Sequence, residues 1–215
     1  MKEFVVIGLG RFGSSVATNL CRMGHEVLGI DLNEERVQRL SNILTHTVIG
    51  DATDEDLMKS LGVRNFDVAV VSIGEDMQAS ILATIIIKDI GVPYIVAKAL
   101  NDLHGKVLEK IGADRVVYPE REMGQRIANN LVSTNILDYI ELSPEYSIME
   151  IIATKKLTGK TLGQLNLRAL YGINVIALKR DKHINASPGA NDMIQVDDIL
   201  IVMGKRDVLE NLKSK

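Results

Sequence analysis

The segment Gly8-Leu9-Gly10-Arg11-Phe12-Gly13 fits the pattern G-x-G-x-x-G. Each glycine has its own steric use in such a turn. The first permits a tight bend, the second lets a pyrophosphate approach the backbone, and the third lets helix and strand pack closely. The pattern by itself is weak. Here it follows an apolar run and opens a helical one, the context in which free N–H groups at a helix N-terminus hold phosphate. Asp31 ends the next apolar run. A carboxylate there accepts hydrogen bonds from ribose hydroxyls and repels a 2′-phosphate, which disfavours NADP. Arg11 sits inside the turn and Phe12 beside it. Arg11 is either a solvated surface arginine or a phosphate clamp, since guanidinium makes bidentate bonds to phosphate.

Three later segments join the candidate site: Asp51-Ala52-Thr53, Ser72-Ile73-Gly74-Glu75 and Lys98. Each follows an apolar run. In a parallel sheet all three would face one crevice at the carboxyl ends of the strands. Asp51 and Ala52 would border an adenine, and Lys98 would approach phosphate. Each also reads as a turn residue or a helix cap.

The elements that must position these residues follow a regular alternation. Short apolar runs at Phe4–Ile7, Glu26–Ile30, Thr47–Ile49, Asp67–Ser72, Tyr94–Ala97 and Arg115–Tyr118 read as buried strands. Between them, apolar residues spaced by three or four mark helices over 12–23, 34–44, 54–61, 76–90 and 102–111. Pro119 starts one more, over about 120–132. Six alternations with short connections predict an α/β fold, a Rossmann-like doubly wound parallel sheet with helices on both faces. Met123, Ile127 and Leu131 make an apolar stripe on the last helix. It reads either as intrachain core or as a face that packs on a second subunit.

After Ser133 the pattern changes. Residues 147–153, 174–178 and 199–203 read as strands, 161–165 as a short helix and 207–212 as a helical turn. This predicts a small α+β C-terminal domain over 135–215, after a nucleotide-binding domain over 1–134. A core of this size is marginal alone and would gain from self-association.

Composition removes several function classes. The 215 residues carry a net charge of −3, which argues against a nucleic-acid partner bound through its phosphates. Aromatics are 4% and tryptophan is absent, so a base-stacking surface is not expected. One cysteine, Cys21, forms no intramolecular disulfide and no cysteine-based zinc site, and fits a reducing cytosol. No run reaches the roughly 20 apolar residues that span a bilayer, so no direct membrane insertion is expected.

The segments VIGLGRFGSSVA, VIGDATDE, VAVVSIGEDMQAS, VAKALND, KIGADRVVYPEREMGQRIA and LTGKTLGQLNLRALYGINVIALKRD together resemble the regulatory subunit of Ktr/Trk-type bacterial potassium uptake systems. The resemblance covers nearly the whole chain. The glycine turn is shared with many dehydrogenases, whereas IGADRVVYPE and LRALYGINVIA are far more specific. It implies an N-terminal and a C-terminal regulator-of-conductance domain, each dimeric. It implies a homo-octameric ring, cytoplasmic and peripheral to the membrane, beneath a membrane potassium-translocating subunit. It implies binding of ATP and ADP, which favour different ring shapes. Arg11 would reach the terminal phosphate, Asp31 and Asn33 the ribose, and Lys98 phosphate. Glu120 would help hold Mg²⁺ or Ca²⁺ at the ATP phosphates, or it serves only helix-start electrostatics.

The resemblance further implies a cyclic di-AMP site at a C-terminal dimer interface. Arg168, Asn174 and His183 are its polar candidates, and Ile173, Ile176 and Pro188 its apolar ones. They read equally as a plain apolar interface with polar edges. An NAD(H)-linked redox sensor or oxidoreductase is the alternative function. The crevice should accept any adenosine with a free ribose, but the four histidines (His25, His46, His104 and His183) are scattered and form no evident acid–base pair. The reading is therefore of a protein that is not an enzyme. A module serving a channel or an exchanger is a third reading.

Overall fold

The structure is a computed structural model that describes residues 1–132 and 136–211. It divides into two units, Met1–Glu120 and Arg121–Lys215.

The first unit alternates strictly. Its strands are β1 (Glu3–Ile7), β2 (Glu26–Asp31), β3 (His46–Ile49), β4 (Val68–Val71), β5 (Tyr94–Lys98) and β6 (Arg115–Val117). Its helices are α1 (Arg11–Arg22), α2 (Glu34–Leu40), α3 (Glu55–Ser60), α4 (Met77–Ile90) and α5 (Asp102–Lys110). All six strands are parallel, in the order β3-β2-β1-β4-β5-β6. The strands read as continuous apolar runs because helices cover both faces. Val5 and Ile7 pack with Leu28, Ile30 and Val71 on one face, and Val6 packs with Leu9, Val27 and Val70 on the other. The chain order reverses between β1 and β4. At that point the loops leave the sheet in opposite directions and open a crevice at the carboxyl ends.

Local chemistry fixes the helix starts. The side-chain oxygens of Asn33, Asp54, Asp76 and Asn101 each accept a hydrogen bond from a first-turn N–H of the helix that follows. Helix α2 stops at Leu40, four residues earlier than the pattern predicts. The Ser41 hydroxyl donates to the Gln38 carbonyl and competes with the helical ladder, while Leu44 turns back into the core.

The second unit holds an antiparallel sheet of β7 (Ile136–Glu141), β8 (Tyr146–Ile152), β9 (Asn174–Arg180), β10 (His183–Asn185) and β11 (Ile199–Lys205), in the order β10-β9-β11-β8-β7. The pattern of residues 147–153, 174–178 and 199–203 marks the three inner strands. It misses β7 and β10, the edges, where only one flank must pair and the alternation is weak. Met149 and Ile151 on β8 and Leu200 and Val202 on β11 point into a core closed by Leu167, Ile173, Ile194 and Leu209. Two short helices, α7 (Leu162–Leu165) and α8 (Leu167–Tyr171), precede β9, and α9 (Arg206–Asn211) follows β11. A capping box between Thr161 and Gln164 opens α7.

Helix α6 (Pro119–Val132) begins in the first unit and continues into the second. Its stripe of Met123, Ile127 and Leu131 is exposed by half or more, so it is not core of this chain. No helix among the described residues is long and apolar enough to cross a membrane.

Candidate functional site

The glycine turn has three different explanations at its three glycines. Gly8 has φ +88°, and a Cβ there would lie 3.0 Å from the backbone of Ser72 and Ile73 on the neighbouring strand end. A Cβ on Gly13 would lie 1.9 Å from the Gly8 carbonyl oxygen and 2.3 Å from Ser72 Oγ. Those two glycines are demanded by the fold itself. Gly10 is not: a Cβ there would meet nothing within 4 Å. The missing side chain at Gly10 leaves open space at the mouth of α1.

Helix α1 starts at that opening without a side-chain cap. No acidic residue stands in its first turn, and Arg11 occupies the first helical position. Helices α2, α3 and α5 carry both a capping side chain and acidic first-turn residues. A cation at a helix N-terminus opposes the macrodipole, so α1 is arranged for an anion supplied from elsewhere.

The crevice collects residues from both sides of the switch point, with a cavity volume of about 710 Å³. Gly8, Gly10, Arg11 and Phe12 line it from the turn, Asp31 and Asn33 from the end of β2, and Asp51 and Ala52 from the end of β3. Ser72, Ile73, Gly74 and Glu75 line it from the end of β4, with Lys98 from β5 and Glu120 from the start of α6. Gly13 and Thr53 do not line it. Gly13 lies behind the turn, and the Thr53 backbone N–H and hydroxyl both donate to Asp51 Oδ1, at 2.9 and 2.7 Å.

Several polar groups are partly committed. Asp31 is buried. Its Oδ2 accepts from the Leu9 N–H at 2.6 Å and its Oδ1 from the Asn33 N–H at 2.8 Å. Asn33 Oδ1 accepts from the Arg36 N–H at 3.0 Å and so caps α2. The Ser72 hydroxyl donates to the Gly8 carbonyl at 2.6 Å and also lies 3.0 Å from the Ile7 carbonyl. Ser72 therefore clamps the turn to β4 rather than offering its hydroxyl to a ligand. Lys98 Nζ donates to Glu120 Oε1 at 2.5 Å and lies 5.9 Å from the Phe12 ring centroid. That hydrogen bond is the main cause holding the Glu120 carboxyl below its ordinary range, with Arg11 adding a smaller pull.

Sequence reasoning missed Arg36 and Arg39, which also line the crevice. Arg36 Nη1 lies 3.5 Å from Asp31 Oδ2. The two arginines are three apart on α2 and share a face, a spacing that the Asn33 cap would have revealed. The lining contains no histidine. His104 is fully buried on α5, accepts the Leu100 N–H at Nδ1, and is held below its ordinary pKa by burial.

The candidates of the second unit do not converge within it. Arg168 and Asn174 are exposed near the start of β9, with Ile176 exposed on it; His183 is exposed beyond its far end, and Pro188 is half-buried further on. Asn174 and Arg180 are six positions apart along the strand, about 20 Å at ~3.3 Å per residue. Ile173 is a correction: its side chain is buried in the core, where a ligand cannot reach it.

Comparison with known proteins matches the TrkA-N domain family over residues 4–119 and the TrkA-C domain family over residues 147–215. Ktr system potassium uptake protein C of Bacillus subtilis (strain 168) is 55% identical over 203 residues, covering 94% of this chain and 92% of that protein. The chain belongs to the Ktr potassium-uptake family. A second Ktr relative, Ktr system potassium uptake protein A of the same organism, is 50% identical over 208 residues, covering 96% of this chain and 94% of that protein. In fold, the Ktr chain superimposes on the GsuK RCK domain with a TM-score of 0.71 and 19% identity, over 99% of this chain and 47% of that one. The chain thus spans about half of that structure's length, and the likeness is one of fold.

Proposed function

We propose that this chain is a nucleotide-sensing regulatory subunit that gates a membrane potassium-translocating partner, responding to ATP and ADP and, through its second unit, to cyclic di-AMP. The observation that carries the reading is Gly10. The fold leaves open space there that no protein atom fills, beside an uncapped helix start and the Asp31 carboxylate, a combination suited to phosphate and ribose together. Membership of the Ktr family supplies the transport context.

Differential contact is the mechanism. A ligand shifts a conformational equilibrium only by the difference in its affinity for the two states. Arg11 and Lys98 hold the phosphates, Asp31 and Asn33 the ribose, and the end of β3 borders the base. The terminal phosphate of ATP reaches Arg11 where ADP does not. Glu120 offers one carboxylate to a divalent cation. A single carboxylate fits Mg²⁺ held mainly by nucleotide phosphates, and does not fit an all-protein cage. When bound, the cation neutralises phosphate charge between nucleotide and carboxylate.

In this reading residues 1–134 form the nucleotide-binding domain, α6 is a crossover helix, and 135–215 form the regulatory dimerisation domain. The exposed α6 stripe is covered by a second copy, the dimers close into an octameric ring, and the ring lies on the cytoplasmic side. Arg168, Asn174, Ile176, His183 and Pro188 take cyclic di-AMP only where two copies meet. In this reading the crevice senses a nucleotide rather than turning one over, in keeping with membership of a potassium-uptake family.

A second reading, an NAD(H) sensor, is favoured by the crevice running to both sides of the switch point at a volume ample for a dinucleotide. Calorimetric titration with ATP, ADP, NADH and cyclic di-AMP in the presence of Mg²⁺ decides between them. Tight ATP and ADP binding with weaker NADH is expected. A clear preference for NADH would overturn the gating reading in favour of redox sensing.

A further inference from the structure

Lys98 and Glu120 are unequally placed. The lysine side chain is 10% exposed and the glutamate side chain 72%. Lys98 Nζ lies over the Phe12 ring, 5.9 Å from its centroid, and 3.4 Å from where a Cβ on Gly74 would stand. An ammonium so enclosed needs an anionic partner, because bare burial of a charge is costly. Glu120 is that partner. It reaches in from the first turn of α6, and water can resolvate its carboxylate at little cost once it leaves.

We propose that Glu120 is a built-in competitor for the phosphate-binding lysine. In the ligand-free chain it occupies Lys98, and a nucleotide phosphate binds by displacing it. The inference rests on the reading of the crevice as a nucleotide site and adds its regulation. The asymmetry sets the direction of the exchange. Lys98 is the fixed, buried half, and Glu120 is the exposed half that leaves. Displacement puts a carboxylate beside a polyphosphate, so the competition is strongest without divalent cations. A cation shared by the carboxylate and the phosphates relieves it. A nucleotide without Mg²⁺ is thus penalised more than the same nucleotide with it.

The test is ADP affinity by calorimetry, in EDTA and in Mg²⁺, for the full-length wild type, Glu120→Gln, Lys98→Met and the double variant. Competition predicts that Glu120→Gln tightens ADP binding in EDTA by roughly 3- to 10-fold, the range of a charge-assisted pair with one exposed partner. It predicts a smaller response to Mg²⁺ in that variant. In the Lys98→Met background the same substitution should give a clearly smaller gain, because no lysine remains to compete for and only the repulsion between carboxylate and phosphate is relieved. Glu120→Ala should repeat the gain without the residual amide hydrogen bond. A Glu120→Gln protein with unchanged or weaker ADP binding in EDTA overturns the inference. So does a gain of the same size in Lys98→Met, which would mean plain repulsion between carboxylate and phosphate with no part played by the lysine. Either result leaves the nucleotide site standing, whereas a wild type that binds no ADP removes both.

Discussion

At the mouth of α1 an arginine stands on an uncapped helix start and a glycine faces open space. At the end of β9, in the second unit, the polar groups are closed on each other. Arg180 gives Nε and Nη2 to the two oxygens of Asp198, both at 2.8 Å, and Nη2 also donates to the Met193 carbonyl at 3.0 Å. Asp198, buried, takes a further bond from the Gln195 N–H at 2.7 Å. Asp192 accepts from Asn185 Nδ2 and from the Gly189 N–H. Both regions are polar concavities. The second satisfies its own donors and acceptors and so holds a loop. The first leaves donors unsatisfied and so has something to offer a ligand.

The largest break in that comparison should come from Gly13→Ala. Its Cβ would strike the Gly8 backbone oxygen, which no rotamer change relieves, so the first unit should lose about 3 kcal/mol or more in denaturant unfolding and ADP binding should vanish. Leu200→Ala, in the core of the second unit, should cost about 2–5 kcal/mol and leave ADP affinity unchanged. Asp198→Ala should cost about 2 kcal/mol, the scale of hydrogen bonds to a charged group, again without touching ADP. A fall in ADP affinity in either variant would show that the second region is part of the ligand site. Gly10→Ala sharpens the contrast from the other side. Stability should hold within ~0.5 kcal/mol, while ADP affinity falls about 10-fold where phosphate meets the new methyl.

The smallest effect expected is a difference in acid response. Burial holds His104 below its ordinary pKa of 6.5, so folding favours the neutral ring. The first unit keeps that stability above about pH 6.5 and loses it as pH falls further. The Arg180 hydrogen bond holds Asp198 below its ordinary 3.8, so the second unit keeps that stability above 3.8 and loses it only as pH falls through the lowered value. Hydrogen exchange between pH 7 and 5, corrected for intrinsic rates, should show protection falling in β1 and β4 and holding in β8 and β11. Equal loss in both would break the distinction.

Much of the first unit can be read directly from the chain. Continuous apolar runs such as Phe4–Ile7, capping residues such as Asn33 and Asp54, and the glycine turn are local signals, and each acts over a few residues. The second unit is harder to read. Its edge strands β7 and β10 pair on one side only, and His183–Asn185 is too short to show alternation. Ile173 follows Gly172 beside exposed polar residues, and nothing in its neighbours announces that it closes a core.

The amino-acid order by itself determined the parallel α/β alternation, the turn at Gly8 and the carboxylate at Asp31, because periodicity, capping and backbone sterics operate between near neighbours. Only the tertiary structure decided that Ser72 spends its hydroxyl on Gly8, that Arg36 leans on Asp31, and that Lys98 is held by Glu120. Those pairings depend on strand order and on which face of a helix meets the crevice. Such distances are set by packing the whole sheet, and no local rule contains them.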